Sequence, residues 1–358
     1  MAKITYVFGD AFTGTITEEI SLYGVSASRQ MNDGEFRGTF QLDQTGKANL
    51  DLVNATIPGR NYVIMERDGK AIWGGLIRTR TYQSQAKTCQ LFASSFENYP
   101  EYRFIRSNFS RTAYEQQNIV LELFQLMQAD ANSFRVDLPS ALGVTLVPKT
   151  VSVLATELKS YRQVIDAIAD GEFGFDWRIN VARVGGVYVR ALEMGYPYLG
   201  AVDPGGLWFE YPGNITNYWE NDTMGEAGTN IFGVGAGEGQ SMLLSEVIQS
   251  DLLVAGWPRY DTDVSRKDIT NQGNLNDITA QEAIIRRAPR PVITAEIKGD
   301  LDPVFGSYAV GDACSIYFND PKHTGGFTRT TRVLGYEYYP PSDDSVEMAR
   351  LTFEGEDL

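Results

Sequence analysis

The first hundred residues alternate apolar and polar positions in the manner of β-strands. Residues 5–8, 19–28 and 34–43 each predict one strand. In the third of these, Phe36 and Phe40 share a face, because strand side chains point to opposite faces at successive residues. The N-terminal region therefore predicts a sheet with one buried face.

A β-meander follows these strands. Residues 61–67 and 70–82 are apolar-rich runs separated only by Asp68-Gly69. Asp-Gly in this place favours a two-residue hairpin, because such a turn needs positive φ at both central residues. Residues 87–93 then predict a third strand of the same meander.

Residues 105–195 differ from the region before them and predict an α+β module. Between residues 111 and 130, the apolar residues recur at the spacing of one helix face: Ile119, Val120, Leu123, Phe124 and Met127. Thr112 and Glu115 have the spacing of a capping box at the start of this helix.

A second helix and a hairpin complete the predicted module. The helix is expected over residues 156–170, with Gly171 as its C-cap. Its apolar face is predicted to contain Leu158, Tyr161, Ile165 and Ile168. Residues 173–180 and 186–191 have the pattern of two paired strands.

The remainder of the chain returns to strands and turns, with one further helix. Residues 260–279 are polar and rich in Asn and Asp, and they predict a loop. A helix is predicted over 280–287, because Thr279 and Glu282 have capping-box spacing, and it is expected to end before Pro289. The last predicted strands are residues 292–298, 308–318, 328–338 and 346–353.

Charge and composition narrow the functional classes. The chain of 358 residues has 31 Lys and Arg against 46 Asp and Glu, which gives a formal net charge of −15. This acidity excludes a general polyanion binder, because no basic surplus is present to neutralise phosphates. With 43% hydrophobic and 22% charged residues, the chain belongs to the globular class and not to the disordered one.

The scarcity of cysteine and histidine excludes several kinds of site. Cys89, Cys314 and His323 are too few for a disulfide framework, a Cys/His zinc site or an iron–sulfur cluster. The N-terminus lacks the pattern of a signal peptide, and no apolar stretch is long enough to span a bilayer. We expect no metal, no cofactor and no membrane anchor, and synthesis in a reducing cytoplasm with both cysteines free.

The residues with potential chemistry predict no enzyme. Glycine occurs at every second position from Gly233 to Gly239, a pattern that gives neither G-x-G-x-x-G nor a P-loop. It instead predicts a kinked strand or bulge where backbones approach closely. His323 lies in a turn-forming sequence and is predicted to be a solvated loop residue and not a general base. Cys89 and Cys314 have apolar neighbours and are predicted to be small core residues.

Carboxylates and aromatic residues leave alternatives open. A glycosidase needs only two carboxylates, but the sequence singles out no pair, so no catalytic residue is assigned. Two aromatic groups suit core packing, a sugar-stacking platform or an assembly interface. They are Tyr336, Tyr338 and Tyr339, and then Trp208, Tyr211, Tyr218 and Trp219.

Four features in order resemble the baseplate-hub or tail-hub proteins of tailed bacteriophages, in particular minor tail proteins of siphophages infecting actinobacteria. The resemblance lies in the order and spacing of loose motifs across nearly the whole chain. They are the meander over 62–93 with RDGKAIWGG, the segment YRQVIDAIADGEFGFDWRIN over 161–180, the strand NIFGVGAGEG over 230–239, and the helix and prolines over 279–291 with YAVGD at 308–312 and TRVLG at 331–335.

The resemblance implies an α+β, mainly β fold with two tail-tube-like β-barrel domains. The implied domains are a first barrel over 1–105, an inserted α+β domain over 106–199, a second barrel over 200–275, and a C-terminal helix with a small β-domain over 276–358. Such hubs are homotrimers whose paired barrels form a pseudo-sixfold ring. The ring joins the tail tube and the distal tail protein ring to the tip and forms part of the DNA ejection channel.

The resemblance also implies partners and a location. The implied partners are the distal tail protein ring, the tape measure protein and other minor tail or tip proteins, with genomic DNA passing without specific binding. The implied location is the virion tail tip, after assembly in the host cytoplasm. An acidic channel wall would repel the duplex and keep it centred, although acidity also simply favours solubility. The alternative function is a receptor- or carbohydrate-binding tail module, which predicts an exposed aromatic patch.

Overall fold

The computed structural model describes residues 2–42, 47–170, 173–203, 205–221, 225, 227–267, 269, 271–287, 292–342 and 345–354. The chain forms two compact units. The larger contains Met1–Tyr218 and Thr294–Leu358, and the smaller contains Trp219–Ile293. Each unit is described below by itself.

The first hundred residues form seven strands and one helix. They are β1 (Ile4–Asp10), β2 (Ile16–Glu19), β3 (Tyr23–Gln30), β4 (Gly34–Gln41), α1 (Lys47–Ala55), β5 (Asn61–Arg67), β6 (Lys70–Gln83) and β7 (Thr88–Ser95). The strands are antiparallel neighbours in the order β3-β4-β7-β6-β5-β1-β2. We expected only strands in this region, and that expectation is wrong at α1. The sequence of α1 has no apolar periodicity that would have predicted a helix.

The predicted meander is confirmed. Asp68 and Gly69 have φ values of 51° and 81°, the left-handed region that the two-residue turn between β5 and β6 requires. Phe36 and Phe40 are buried on the same face of β4. The alternating pattern and the turn chemistry therefore determine this part of the sheet.

The predicted α+β module follows and adds four strands and two α-helices. They are β8 (Phe109–Glu115), α2 (Gln116–Ala129), β9 (Pro148–Val153), α3 (Tyr161–Ala169), β10 (Asp176–Val184) and β11 (Val187–Gly195), with 3-10 turns at Phe96–Tyr102 and Ala155–Glu157. β8 pairs with β9, and β10 pairs with β11, both antiparallel. The hairpin prediction is confirmed.

Both helices of the module begin differently from the prediction. The apolar stripe of α2 is buried as predicted, but Thr112 lies in β8, and Glu115 itself is the N-cap that accepts a hydrogen bond from the Asn118 amide. The capping box at Thr112 is therefore wrong. Helix α3 begins only after Ser160, which caps it, so Leu158 lies outside the helix and is exposed. Gly171 lies outside the described residues.

The apolar core of the larger unit lies between the first sheet and the module. Tyr62 and Phe96 from the sheet side pack in one cluster with Phe124, Ile165 and Trp177 from the module. Phe124 and Trp177 meet edge to face with ring centroids 5.9 Å apart. The module is therefore joined to the sheet by buried aromatic surface and not by a flexible linker.

Two further strands follow, β12 (Trp208–Tyr211) and β13 (Ile215–Asn221), and the smaller unit begins within β13, at Trp219. That unit contains β14 (Asn230–Val234), a 3-10 turn at Gly239–Ser241, β15 (Leu244–Ile248), α4 (Ser250–Val254), β16 (Asp261–Ser265) and α5 (Gln272–Ile285). Its sheet has the order β15-β14-β16, with β14 and β16 parallel. Ile231, Val264 and Ala283 form a small core with Val247.

The loop predicted over 260–279 is wrong. It contains β16 and the first half of α5, which begins at Gln272 and not at residue 280. Thr279 is therefore a buried residue inside the helix, where its hydroxyl donates to the Leu275 carbonyl oxygen, and it is not a cap. Pro289 lies outside the described residues.

The last four strands return to the large sheet. They are β17 (Val292–Lys298), β18 (Ala313–Phe318), β19 (Phe327–Tyr339) and β20 (Met348–Phe353). The strand order is β13-β17-β20-β19-β3-β4-β7-β6-β5-β1-β2, and β18 pairs with both β19 and β12. β19 pairs with β3 from Gly335 opposite Gln30 to Tyr338 opposite Ala27. The C-terminal strands thus extend the N-terminal sheet.

The mainly β class with an α+β module is confirmed. The sheets formed by the described residues are open; none of them closes on itself. Residues 200–275 contribute β12 and β13 to the large sheet and β14 to β16 to the small one. The bounds of the four implied domains stay a prediction.

Candidate functional site

The cysteines and the glycine run have structural roles. Cys89 and Cys314 are free and buried, and burial raises the pKa of both thiols. Because the thiolate is the reactive form, these thiols are not activated as nucleophiles. Gly233 lies in β14, where an added Cβ would be 1.9 Å from the Thr279 hydroxyl oxygen. At Gly237 an added Cβ would be 2.3 Å from the Ser241 carbonyl oxygen, so the predicted close approach of backbones is confirmed there. The predicted kink or bulge is wrong for β14, which pairs with β15 and β16 without a register shift.

His323 packs against aromatic rings, whereas the sequence predicted a solvated loop residue. It is half-buried and stacks on Phe327 and Phe318, with centroid distances of 5.2 and 5.6 Å. Asp320 accepts hydrogen bonds from the Tyr218 hydroxyl and from the backbone amide of His323. The hydrogen bond from Tyr218 lowers the pKa of the Asp320 carboxyl most, and the hydrogen bonds from the backbone amides of His323 and Lys322 lower it further. The loop is therefore ordered by packing and turn hydrogen bonds.

The aromatic residues singled out in the sequence separate into two groups. Tyr338 is fully buried, stacks on Phe305 at 4.2 Å and donates to Glu347. Tyr336 donates to the Ile72 carbonyl oxygen, and burial raises its pKa to about 12. Tyr336 and Tyr338 are therefore held by interior hydrogen bonds and form no exposed sugar-stacking platform.

Of the second group, Trp208, Tyr211 and Tyr218 lie where the sheet ends at β12. Together with Tyr317, which the sequence had not singled out, they form what we call the aromatic edge. Trp219, the fourth member of the predicted group, belongs to the smaller unit. Trp208 is 39% exposed and stacks on Tyr317 with centroids 6.2 Å apart. Tyr211 and Tyr218 meet edge to face at 5.2 Å. Trp208 is the exposed member, and the other three rings are half-buried. An exposed aromatic ring beside a strand edge suits contact with another molecule.

A buried ion pair that the sequence did not single out joins the module to the sheet. Arg29 of β3 donates to Glu97 at 2.6 Å, and their side chains are only 10% and 1% exposed. The same Glu97 oxygen accepts from the Ile179 amide of β10, while Arg29 also donates to the Ile179 carbonyl oxygen. Three separate chain segments therefore meet at one charge pair.

A second buried pair joins the meander to the C-terminal strands. Arg67 donates to both carboxylate oxygens of Glu347, at 2.6 and 3.0 Å, and this pairing raises the pKa of Arg67. Tyr338 donates to the same carboxylate at 2.7 Å. The two charges are 280 residues apart in the chain, so no local pattern could have paired them.

Metal and membrane sites were also sought. The described ranges contain no group of three or more His, Cys, Asp or Glu side chains placed to hold a metal ion. Within those ranges, no helix has both the length and the apolar character that crossing a bilayer requires.

No protein-family model matches the chain, and no curated protein matches it either. Its structure is similar to three solved tail proteins. The prophage MuSo2 tail protein from Shewanella oneidensis has a TM-score of 0.64 at 10% identity, over 98% of each chain. The tail protein from Neisseria meningitidis MC58 has a TM-score of 0.62 at 10% identity, over 98% of this chain and 96% of that one.

The third structure is prophage tail protein gp18 from Listeria monocytogenes EGD-e. Its TM-score is 0.57 at 12% identity, over 99% of this chain and 95% of that one. Sequence identity this low establishes a shared fold, and the fold alone. That fold extends across both units of the chain.

Proposed function

We propose that this chain is a structural protein of a bacteriophage tail and lies at the baseplate hub of the tail tip. The observation that carries the proposal is the likeness to the MuSo2 tail protein over 98% of both chains. A likeness of that extent covers the module and the C-terminal strands as well. It is therefore more than a match to one common sheet motif. The order of motifs in the sequence independently pointed to the same class.

The finer proposal is a homotrimer that forms a pseudo-sixfold ring. The large sheet has two blocks of neighbouring strands, β3-β4-β7-β6-β5-β1-β2 and β13-β17-β20-β19, which meet at the pairing of β3 with β19. Three chains would supply six such blocks, which suits contact with a sixfold tail tube. The proposed partners are the distal tail protein ring, the tape measure protein and other minor tail proteins.

The buried ion pairs support a structural role. A subunit of a ring between the tube and the tip has to keep its own segments in fixed positions. Arg29–Glu97 and Arg67–Glu347 each join segments that are far apart in the chain. Breaking a buried pair leaves an uncompensated charge, so these contacts resist local separation.

The net charge of −15 supports a role in the DNA ejection channel. We propose that carboxylates face the lumen, because basic residues there would bind phosphates and retard the duplex. A map of the assembled ring tests this. A lumen lined by unpaired Lys and Arg would contradict the proposed channel wall.

The aromatic edge supports a second candidate, a carbohydrate-binding tail module. Trp208 has an exposed ring of the kind that stacks on sugars. Binding of the purified full chain to bacterial cell-wall glycan tests this candidate, with Trp208→Ala compared against Tyr82→Ala, a change at an exposed tyrosine of β6. Specific loss of glycan binding in Trp208→Ala would favour the module. Absence of glycan binding by the unchanged chain would remove it.

The hub itself is tested by the assembly state. We expect light scattering to give three chains, alone or after addition of the distal tail protein, because assembly proteins often complete their interfaces only in place. A change in the aromatic edge, Trp208→Ala, should weaken that association more than Tyr82→Ala if the edge is a subunit or ring contact. A chain that stays monomeric with the distal tail protein present would contradict the hub.

A further inference from the structure

A cavity of about 170 Å³ lies within the larger unit, where three parts of the chain meet. Its walls come from β3, from the start of β6, from β10, from residues 305–310 and from β19. We call it the junction cavity.

The lining of the junction cavity is positively charged. Arg29, Lys70 and Arg178 contribute cations, and none of the described residues that line it is Asp or Glu. In a chain of net charge −15, three cations without a carboxylate at one cavity wall are unexpected. The two arginines are balanced by Glu97 and Glu193, which lie outside the lining. The cavity therefore presents donors to an occupant while the acids lie behind them.

Several hydrogen-bond donors at this cavity remain unused. The hydrogen bonds of Arg29 to described residues all use Nη2, and those of Arg178 use Nε and Nη1. Lys70 Nζ donates to the Gly306 carbonyl oxygen, which uses one of its three hydrogens. An anionic acceptor in the cavity would engage the remaining donors of Lys70 and of the two arginines.

The size and walls of the cavity limit the occupant. Trp73, Phe305 and Tyr336 give it aromatic sides, and two of them are held in place, since Trp73 donates to Ser28 and Tyr336 to Ile72. Engineered cavities of roughly 150 Å³ admit a molecule the size of benzene. A carboxylate or phosphate group with a short stem fits, whereas a folded segment does not.

We propose that the junction cavity is an oxyanion-binding site that takes a carboxylate or phosphate group between Arg29, Lys70 and Arg178. The bound group accepts from the unused arginine donors and from the Lys70 ammonium. Charge-assisted hydrogen bonds of this kind are stronger than neutral ones. Because the donors belong to β3, β6 and β10, the oxyanion links the sheet and the module.

Thermal unfolding of the full chain in sodium phosphate or sodium acetate tests the site, with ionic strength held constant by sodium chloride. A ligand that binds only the folded state raises the Tm in a saturable way. Calorimetric titration with the same two anions gives the Kd directly. Saturation with phosphate alone identifies a phosphate group as the preferred form, and saturation with acetate alone identifies a carboxylate.

Two variants and two controls distinguish a site from a general salt effect. Lys70→Met and Arg178→Met each remove one cation from the lining and should weaken binding about tenfold. Lys3→Met and Arg37→Met make the same changes at exposed positions outside the lining and should leave the Kd unchanged. If one variant fails to fold, as judged by circular dichroism, the other still reports. Absence of saturable binding with both anions, or equal weakening in the controls, would overturn the proposal.

Discussion

The two compact units place their charges differently. In the larger unit, Arg29–Glu97 and Arg67–Glu347 are buried between segments that are distant in the chain. In the smaller unit, Arg259 pairs with Glu246 and with Asp261, each at 3.1 Å, and these side chains are about half exposed.

This difference indicates which contacts stabilise each unit. Exposed ion pairs contribute little to stability, whereas removing one partner of a buried pair is costly. The least exposed pair of the smaller unit, Arg286 with Glu282, joins residues only four apart at the end of α5. We therefore expect that unit to rely on apolar packing between α5 and its sheet, centred on Ile231, Val264 and Ala283. The larger unit has an extensive aromatic core and also depends on its charges.

The largest expected effect is at Glu97. Glu97→Gln leaves Arg29 buried without a countercharge and places an amide donor where a carboxylate oxygen already lacks a partner. We expect the free energy of unfolding of the larger unit to fall by about 3 kcal/mol. Chemical denaturation followed by the fluorescence of the buried tryptophans measures this.

The matched control for Glu97 is Glu35→Gln. Glu35 pairs with Arg37 at 3.3 Å, and both side chains are more than half exposed. We expect a change of less than about 1 kcal/mol. Equal effects of the two variants would show that the buried pair is not special, and the comparison of the units would lose its basis.

In the smaller unit the largest effect is expected from packing, at Gly233. Gly233→Ala places a methyl group against the buried Thr279 of α5 and separates the helix from the sheet. We expect a loss of about 2 kcal/mol for the unfolding of that unit. Hydrogen exchange of the β14 and α5 amides measures it. Gly143→Ala, where the new methyl group meets no atom within 4 Å, is the control.

A third prediction concerns the exposed charges of the smaller unit. Arg259→Gln breaks both surface pairs of this arginine at once. Salt screens the attraction of exposed pairs, and forming them costs side-chain entropy. We therefore expect no measurable change in thermal stability at physiological salt. A fall in Tm as large as that of Gly233→Ala would mean that this unit also depends on its charges.

The smallest effects are expected at two carboxylates of the larger unit with opposite pKa shifts. Backbone hydrogen bonds from Thr13 lower the pKa of Asp10 below 3.8, so its contribution to stability is present above that pH and is lost as pH falls further. Burial, with Asp166 nearby, raises the pKa of Asp170, so its ionised form costs stability at neutral pH.

These two shifts predict variants of opposite sign. At pH 7, Asp10→Asn should lower the Tm slightly and Asp170→Asn should raise it slightly. Both differences should shrink as pH falls, for Asp170 between its raised pKa and 3.8, and for Asp10 below 3.8. Thermal scans from pH 7 to pH 3 measure this. A shift of the same sign in both variants would contradict the assignment.

Local patterns in the sequence predicted the local parts of the fold. The Asp68-Gly69 turn, the stripe of α2 and the hairpin of β10 and β11 follow from backbone conformation and apolar spacing within a few residues. The first half of α5 was missed because its sequence is polar and has no strong amphipathic pattern. Contacts with β14 and β15 stabilise this helix instead. Helix α1 was missed for lack of a clear apolar stripe.

Long-range contacts could not be derived in this way. Nothing near Arg67 indicates Glu347, and nothing near Arg29 indicates Glu97, since burial and pairing depend on the completed sheet. The junction cavity is likewise built from segments that lie far apart in the sequence. The position of β19 beside β3, which merges the C-terminal strands with the first sheet, has the same origin.

The mass and symmetry of the full chain test the proposed hub most directly. Light scattering followed by particle imaging, on the chain alone and with the distal tail protein, gives both. The account predicts a three-chain ring with an open centre, in at least the second condition. A chain that remains a monomer in both conditions would contradict it.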